Sequence, residues 1–223
     1  MLFLFRSNSM LVRINFGCGQ SPMKGWINLD NSYALKLKKF YPLVTLLKIF
    51  NLISRSQLRN IEFNRKTNIV FADATKKFNF DNNSVDVIYT SHMLEHLSKN
   101  SANHFIKECN RVLKKGGTLR IVVPDIKKIV DDYLLNEDAD DFLERSLLVA
   151  PSIESLKSKI LFFLVGYRHH QWMYDSKSLQ KLLLNNGFDN PIEQSPGQTL
   201  ILNADGLNLR ERSKESIYIE AIK

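Results

Sequence analysis

Cysteine is scarce in this chain. Cys18 and Cys109 are the only two, and no C-x-x-C pair occurs. That excludes a disulfide scaffold and a cysteine-held metal site, and it fits a reducing cytosol, where the protein is expected to reside. A continuous apolar run of about 18 residues, the minimum for a membrane-spanning helix, is also missing, so no transmembrane segment is expected. The opening MLFLF, ahead of Arg6, is too short for the apolar region of a signal peptide and has its charge on the wrong side. There is no internal repeat and no low-complexity tract, which argues against a repeat array.

What the chain does have is apolar sequence, 44% of its 223 residues, enough for a sizeable core in one domain. It also has 31 Lys and Arg against 23 Asp and Glu, a formal charge of +8. Such a balance suits an anionic partner: a phosphate-bearing substrate, an anionic membrane surface or nucleic acid. Because the basic residues are spread out and no RNA-binding module is recognisable, nucleic acid is the weakest of the three.

The chain is organised around residues 11–30, LVRINFGCGQSPMKGWINLD. An apolar strand over 11–16 breaks at Gly17-Cys18-Gly19, and a second short strand ends in Asp30. Strand, glycine turn, strand, carboxylate is an arrangement that holds a nucleotide-like ligand at a sheet edge. The connection from Gly19 to Trp26 contains Pro22 and Gly25 and is too short for a crossover helix. Residues 32–67 read as a helical insertion. After Pro42, Leu43, Leu46, Leu47, Phe50 and Ile53 recur at helical spacing behind the basic run KLKK (36–39). That helix is either a lid packed on the domain or an interfacial helix touching anionic lipid.

Further on, NIVFADA (68–74) predicts a buried strand ending at Asp73, and 85–89 another, followed by Ser91, His92 and a helix start at 93–97. An amphipathic helix over 102–114 is expected to close on Gly116-Gly117. A strand over 119–123 stops at Pro124, and 126–166 reads as a helical cap region with helical patterns over 126–135, 142–149 and 153–164. Asp175 or Ser176 caps a helix through Leu184, and two late strands near 192–194 and 217–222 suggest an antiparallel pair at one edge. Strands alternating with helices give an α/β, doubly wound sheet.

Taken in order, GCGQSPMKGWINLD, FADATKKFNFDNNSVDVIYTSHMLEHL, ECNRVLKKGGTLRIVVPD, HHQWMYDSKSLQKLLLNNGF and SIYIEAIK resemble the class I S-adenosylmethionine-dependent methyltransferases. Within that class they resemble the small methyltransferases associated with polysaccharide biosynthesis. The resemblance implies a single Rossmann-like domain over residues 1–223, with a mostly parallel seven-stranded sheet and an antiparallel edge strand. It implies S-adenosylmethionine as cofactor and O-methylation of a sugar or glycan intermediate. In this reading Gly17, Cys18 and Gly19 lie against the ribose and methionine portion, and Asp30 accepts from the ribose hydroxyls. Asp73 accepts from the adenine amine, with Ala74 beside the ring, and Thr90 and Ser91 sit by the methionine amine. Asn15 stands two before the first glycine, where the class has an acid, and is expected to hydrogen-bond toward the methionine end of the cofactor; Ser21 stands where a third glycine is usual. An RNA methyltransferase and a non-catalytic binding protein on the same scaffold are the alternatives.

Methyl transfer to oxygen benefits from a base, and histidine suits that near neutral pH. His92 and His96 lie after the fourth strand and His169-His170 near the expected acceptor pocket, while His104 reads as a surface residue. His96 or His170 is the expected base. A metal role is not assigned. Even so, His92-x-x-Glu95-His96 has helical ligand spacing, with His169 or His170 available to complete a set. Arg168, Arg210 and Arg212 suit an anionic acceptor if they face the cleft, or pair with Glu211 and Glu215 if they do not.

Overall fold

A computed structural model describes residues 11–38, 40–50, 52–149 and 169–223. The expectations for residues 1–10, for a helix over 153–164 and for Arg168 lie outside the described residues. Seven strands form one sheet: β1 (Arg13–Phe16), β2 (Ile27–Asp30), β3 (Ile69–Phe71), β4 (Val85–Ser91), β5 (Leu113–Pro124), β6 (Asp189–Gln194) and β7 (Ser216–Ile222). Their order is β3-β2-β1-β4-β5-β7-β6. The first five run parallel, and β7 enters antiparallel between β5 and β6. The order turns back between β1 and β4. From there one half of the chain runs to each side, and it is beyond the C-terminal strand ends at such a point that open α/β sheets generally bind their ligands.

The described helices are α1 (Tyr33–Leu37), α2 (Tyr41–Ile49), α3 (Arg55–Lys66), α4 (Lys99–Val112), α5 (Ile126–Asn136), α6 (Ala139–Ser146) and α7 (Ser176–Leu184). On one face of the sheet, α4 and α7 bury Phe105, Ile106, Cys109, Val112, Leu179 and Leu183 against Ile14, Phe16, Ile88 and Ile121. At its centre the Phe16, Phe78 and Phe105 rings stand 4.9–5.6 Å apart, two of the pairs edge to face. The opposite face is covered in its middle by irregular chain. Met23, Trp26, Ile201, Ala204, Leu207 and Leu209 pack on Val87, Tyr89, Val122 and Tyr218.

That irregular cover is tied down by polar groups. Arg120 on β5 and Glu220 on β7 form an ion pair with both side chains fully buried. Glu220 also accepts from Thr199 Oγ1 (2.6 Å) and from the backbone N–H of Leu200 (2.6 Å), and Arg120 donates to the carbonyl of Gln198 (2.9 Å). Tyr89 donates to Glu211 (2.7 Å) and Tyr218 to the Glu211 carbonyl (2.6 Å). Loop residues without a helix thereby acquire fixed positions over the sheet.

Three local expectations are corrected. No helix begins at Met93: a single 3-10 turn, Leu94–His96, forms after His92 adopts φ 48°, and the chain is extended again at Leu97. Gly116-Gly117 does not cap the preceding helix. The helix ends at Val112 with Leu113 as its C-cap, and both glycines lie inside β5, where a Cβ on Gly117 would stand 2.9 Å from the Lys114 carbonyl and 3.1 Å from that of Asp86. The strand at 69–71 is buried only at Ile69, because it is the sheet's edge: Val70 is 57% exposed and Phe71 is exposed as well. The helix after Pro42 buries Val44 but exposes Leu43, Leu46 and Ile49, with Phe50 exposed just beyond its end.

Glu220→Ala would leave the Arg120 guanidinium buried without its counter-charge. The expected loss is roughly 3–5 kcal/mol of stability, read from the midpoint of urea unfolding. A loss under about 1 kcal/mol would mean that the pair does not hold the loop.

Candidate functional site

The chain leaves β1 at Gly17 (φ 72°), and the N–H groups of Gly17 and Cys18 both donate to the Leu29 carbonyl, at 2.8 and 3.1 Å. No helix intervenes before β2, so the turn folds back on its neighbouring strand. Asn15, buried under it, donates from Nδ2 to the Ser21 carbonyl (3.2 Å) and to Asn28 Oδ1 (3.1 Å). Asn28 in turn holds both the N–H and the carbonyl of Met23. A neutral amide at position 15 thus braces the loop through β2, which a carboxylate could not do as a donor. Asn28 is the residue that sequence reasoning missed. Only the strand pairing, with Asn15 opposite Asn28, brings the two amides together.

Asp30 ends β2 and is engaged on both oxygens, one accepting from Gly19 N–H (2.9 Å) and the other from Ser32 N–H (2.7 Å). Its charge and the burial of Cys18 push that thiol up to about 12, burial being the larger cause. Cys18 packs with Leu35 and Ile69 and stays a protonated, inert thiol. Past β3, Asp73 accepts from the N–H (2.9 Å) and hydroxyl (2.7 Å) of Thr75 through one oxygen. Ala74 is in the core beside Phe16 and Phe78. At the end of β4 Thr90 is fully buried, and its hydroxyl has no hydrogen-bond partner among the described residues. Ser91 completes the strand.

The 3-10 turn after β4 lies directly against the glycine turn, since a Cβ on Gly17 would come within 2.6 Å of the Met93 side chain. Its backbone is stitched to a segment 75 residues further on. Gln171 and Trp172 N–H donate to the Glu95 carbonyl (2.8 and 3.2 Å), and Gln171 Nε2 donates to the His96 carbonyl (2.7 Å). His96 and His170 are thereby brought ring to ring, 5.1 Å between centroids. The Nδ1 of His96 faces the His169 carbonyl (3.2 Å) and that of His170 the Ser146 carbonyl (2.7 Å). A carbonyl can only accept, so in the neutral rings each Nδ1 carries the proton and each Nε2 presents a lone pair. Burial holds His170 below the ordinary histidine range.

His92 stands at the same mouth, with Nε2 3.0 Å from the Ser216 hydroxyl and Nδ1 3.3 Å from the Arg212 guanidinium. Arg212 also lies 3.7 Å from Glu215, an exposed pair. His104 is exposed on α4, away from these contacts. A cavity of about 830 Å³ opens elsewhere, at the N-terminal ends of β1 and β4, lined by Val12, Phe78, Asp81, Ser84 and Arg111. Its lining contains none of the expected site residues.

The donor set fits S-adenosylmethionine. A buried hydroxyl without a partner stands at the end of β4, and the turn between two strands has glycine where a Cβ on Gly19 would meet only open space. Residues 31–121 match the family model described as a methyltransferase domain. No curated protein matches the chain in sequence. Among solved structures, one from Haloferax volcanii containing the Trm112 methyltransferase activator in complex is similar. It has 13% identity and a TM-score of 0.50, with 96% of this chain and 82% of that one covered. An S-adenosylmethionine-dependent methyltransferase from Archaeoglobus fulgidus shares 15% identity at a TM-score of 0.48, covering 96% and 86%. One from Mesorhizobium loti shares 14% at 0.47, covering 96% and 91%.

The fold is therefore the Rossmann-like methyltransferase fold, with its mixed seven-stranded sheet. With the family-model match on that fold, the protein is an enzyme, an S-adenosylmethionine-dependent methyltransferase. None of its described helices is long and apolar enough to cross a membrane.

Gly17→Ala is expected to cost about 1–3 kcal/mol, from the left-handed backbone and the collision with Met93 together. Thermal unfolding would measure it. Combining it with Met93→Ala should recover part of the loss, and no recovery would mean that the two elements are not in contact.

Proposed function

We propose that the enzyme methylates a hydroxyl oxygen of a sugar or glycan intermediate, with His96 and His170 activating that hydroxyl. The observation that carries this reading is the pair of adjacent imidazoles with Nδ1–H fixed on carbonyls and Nε2 unspent, next to the glycine turn. Nitrogen acceptors bring their own lone pair, whereas an alcohol must lose a proton as its oxygen bonds to carbon, and imidazole is matched to that task. Arg212 beside His92 favours an anionic acceptor, such as a phosphate-bearing one.

The cofactor side follows from where the chain places its donors and acceptors. S-adenosylmethionine, when bound, supplies a methyl group made electrophilic by the sulfonium. Gly17, Cys18 and Gly19 give it a backbone surface without protruding side chains. Asp30 accepts from the ribose hydroxyls, and its present bonds to two N–H groups fix its position for that. Asp73, with one oxygen spent on Thr75, accepts from the adenine amine, and Ala74 lies beside the ring. The unpartnered Thr90 hydroxyl and Ser91 face the methionine end, while Asn15 holds the turn in shape from beneath. Alignment of the acceptor oxygen with the methyl carbon is the larger share of the rate, and the proton removed from oxygen completes the step.

The single domain is read as carrying two additions: the helices between β2 and β3, and a cap region after β5. The exposed Leu46, Ile49 and Phe50 on and after α2, with Lys48 between them, favour peripheral contact with an anionic membrane surface.

Asp30→Ala is expected to weaken S-adenosylmethionine binding roughly tenfold to a hundredfold, the value of hydrogen bonds to a charged group. Calorimetry measures it, and unchanged affinity would remove Asp30 from the ribose. With labelled cofactor and a panel of nucleotide-linked and phosphorylated sugars, the label is expected in an alkali-stable methyl ether. Label appearing in RNA or on an amine nitrogen instead would sink the oxygen–sugar reading.

A further inference from the structure

The 3-10 turn holds a group for which methyl transfer to oxygen, as derived above, has no use. Glu95 is fully buried, and neither carboxylate oxygen has a hydrogen-bond partner among the described residues. An ionised carboxylate in that position is strongly disfavoured unless it is paired or bound to a cation. Its nearest nitrogens are His92 Nδ1 at 3.4 Å and His170 Nε2 at 4.0 Å. In neutral His92, Nδ1 accepts from the Arg212 guanidinium and Nε2–H donates to Ser216, so no proton faces Glu95. The Nε2 of His170 has a lone pair toward it, because the proton of that ring is on Nδ1. A lone pair facing a carboxylate repels it, unless something positive lies between them.

We propose that Glu95, His96 and His170 bind a divalent transition-metal ion, of which zinc is the first candidate. One carboxylate oxygen and two imidazole nitrogens of these residues lie within 4.8 Å of one another. Zinc–ligand distances near 2.0–2.1 Å set tetrahedral ligand atoms about 3.4 Å apart, so side-chain rotation of about an ångström closes the set. Each histidine already donates its other ring nitrogen to a backbone carbonyl, the outer contact that fixes the tautomer of a metal-bound imidazole. The backbone that carries them is pinned by the bonds from Gln171 and Trp172 to Glu95 and His96, so the three residues are held in place before any ion arrives. Two histidines and one carboxylate leave further coordination positions open, as a site that also binds a substrate oxygen needs.

The set differs from the one suggested by helical spacing. His92 is drawn off by Ser216 and Arg212, and His170 takes its place across 75 residues of chain. The site's role rests on the oxygen-acceptor reading: a hydroxyl bound at an open position would be made more acidic by the ion and give its proton to water, so that His96 and His170 activate it through the ion they hold. The site's existence does not depend on that reading.

The test is metal uptake by full-length protein stripped with chelator, then dialysed against zinc and assayed for bound metal, with calorimetry for affinity. One zinc per chain is expected, with a further spectroscopic sign from cobalt substitution: visible absorption typical of four or five ligands. Glu95→Gln and His170→Ala should each lower zinc affinity by tenfold or more, and His104→Ala, on the exposed face of α4, should leave it unchanged. Half-exposed His96→Ala serves the same purpose where the buried variants do not fold. Absence of stoichiometric zinc in the parent protein, or binding that survives in both His96→Ala and a folded second variant, would overturn the site. A failure to methylate any sugar would leave the zinc result as it stands, so the two readings fail separately.

Discussion

The pairing of β1 with β4 is the constraint on which the rest depends. Parallel register from Arg13 opposite Val87 to Phe16 opposite Thr90 sets two strand ends side by side, although 74 residues separate them. Each end then turns away from the other, toward β2 in one case and toward the 3-10 turn in the other. Most of what is proposed to touch cofactor or acceptor hangs from one of these two exits, while Asp73 and Ala74 follow β3, and His170 and Arg212 come from later segments. Gly17 needs no side chain because Met93 occupies that space, so the two exits are in contact as well as adjacent. The hydrophobic pressure that maintains the register comes from Ile14, Phe16 and Ile88, packed under α4 and α7.

The two faces of the sheet solve the problem of burial differently. Helices cover one, and their amphipathic periodicity is written locally in the sequence. Irregular chain covers the centre of the other, and irregular chain has backbone groups that need partners. Arg120, Glu220 and Glu211 supply them, at the cost of removing charges from water. This arrangement makes the loop a fixed wall and fixes Glu215–Ser216, which contact Arg212 and His92 at the mouth of the site. The polar wall and the reactive mouth are therefore one construction.

The sheet and most helices were legible because periodicity, caps and breakers act over a few residues. Asp175 as a cap, the helix-free first crossover and the α/β alternation all follow from local signals. What local signals mislead about is equally specific. Gly116-Gly117 looks like a helix cap until β4 lies beside it and demands a position without a Cβ. MLEHL looks like a helix start until His92 turns left-handed. The burial of β3 was overestimated because an edge strand and a central strand read alike. Asn15 with Asn28 and Arg120 with Glu220 had no signal at all, since only the register brings them together, and His96 and His170 were candidates whose ring-to-ring contact only the stitching of Gln171 reveals.

That difference separates the residues proposed for the cofactor from those proposed for the acceptor. The first stand at strand ends and in the turns that follow them, so type and spacing of residues single them out. The second come together by contact between distant segments. Glu95 shows the consequence most plainly. In the sequence it is one acid among 23 acidic residues. In the fold it is a buried carboxylate facing imidazole nitrogens whose protons point elsewhere, an arrangement that is unfavourable as it stands and becomes favourable with a cation between them. A fold selected for stability alone would replace such a cluster with apolar residues. Its presence beside the glycine turn places a demand for positive charge where the proposed acceptor's hydroxyl would lose a proton, and one ion would meet both needs.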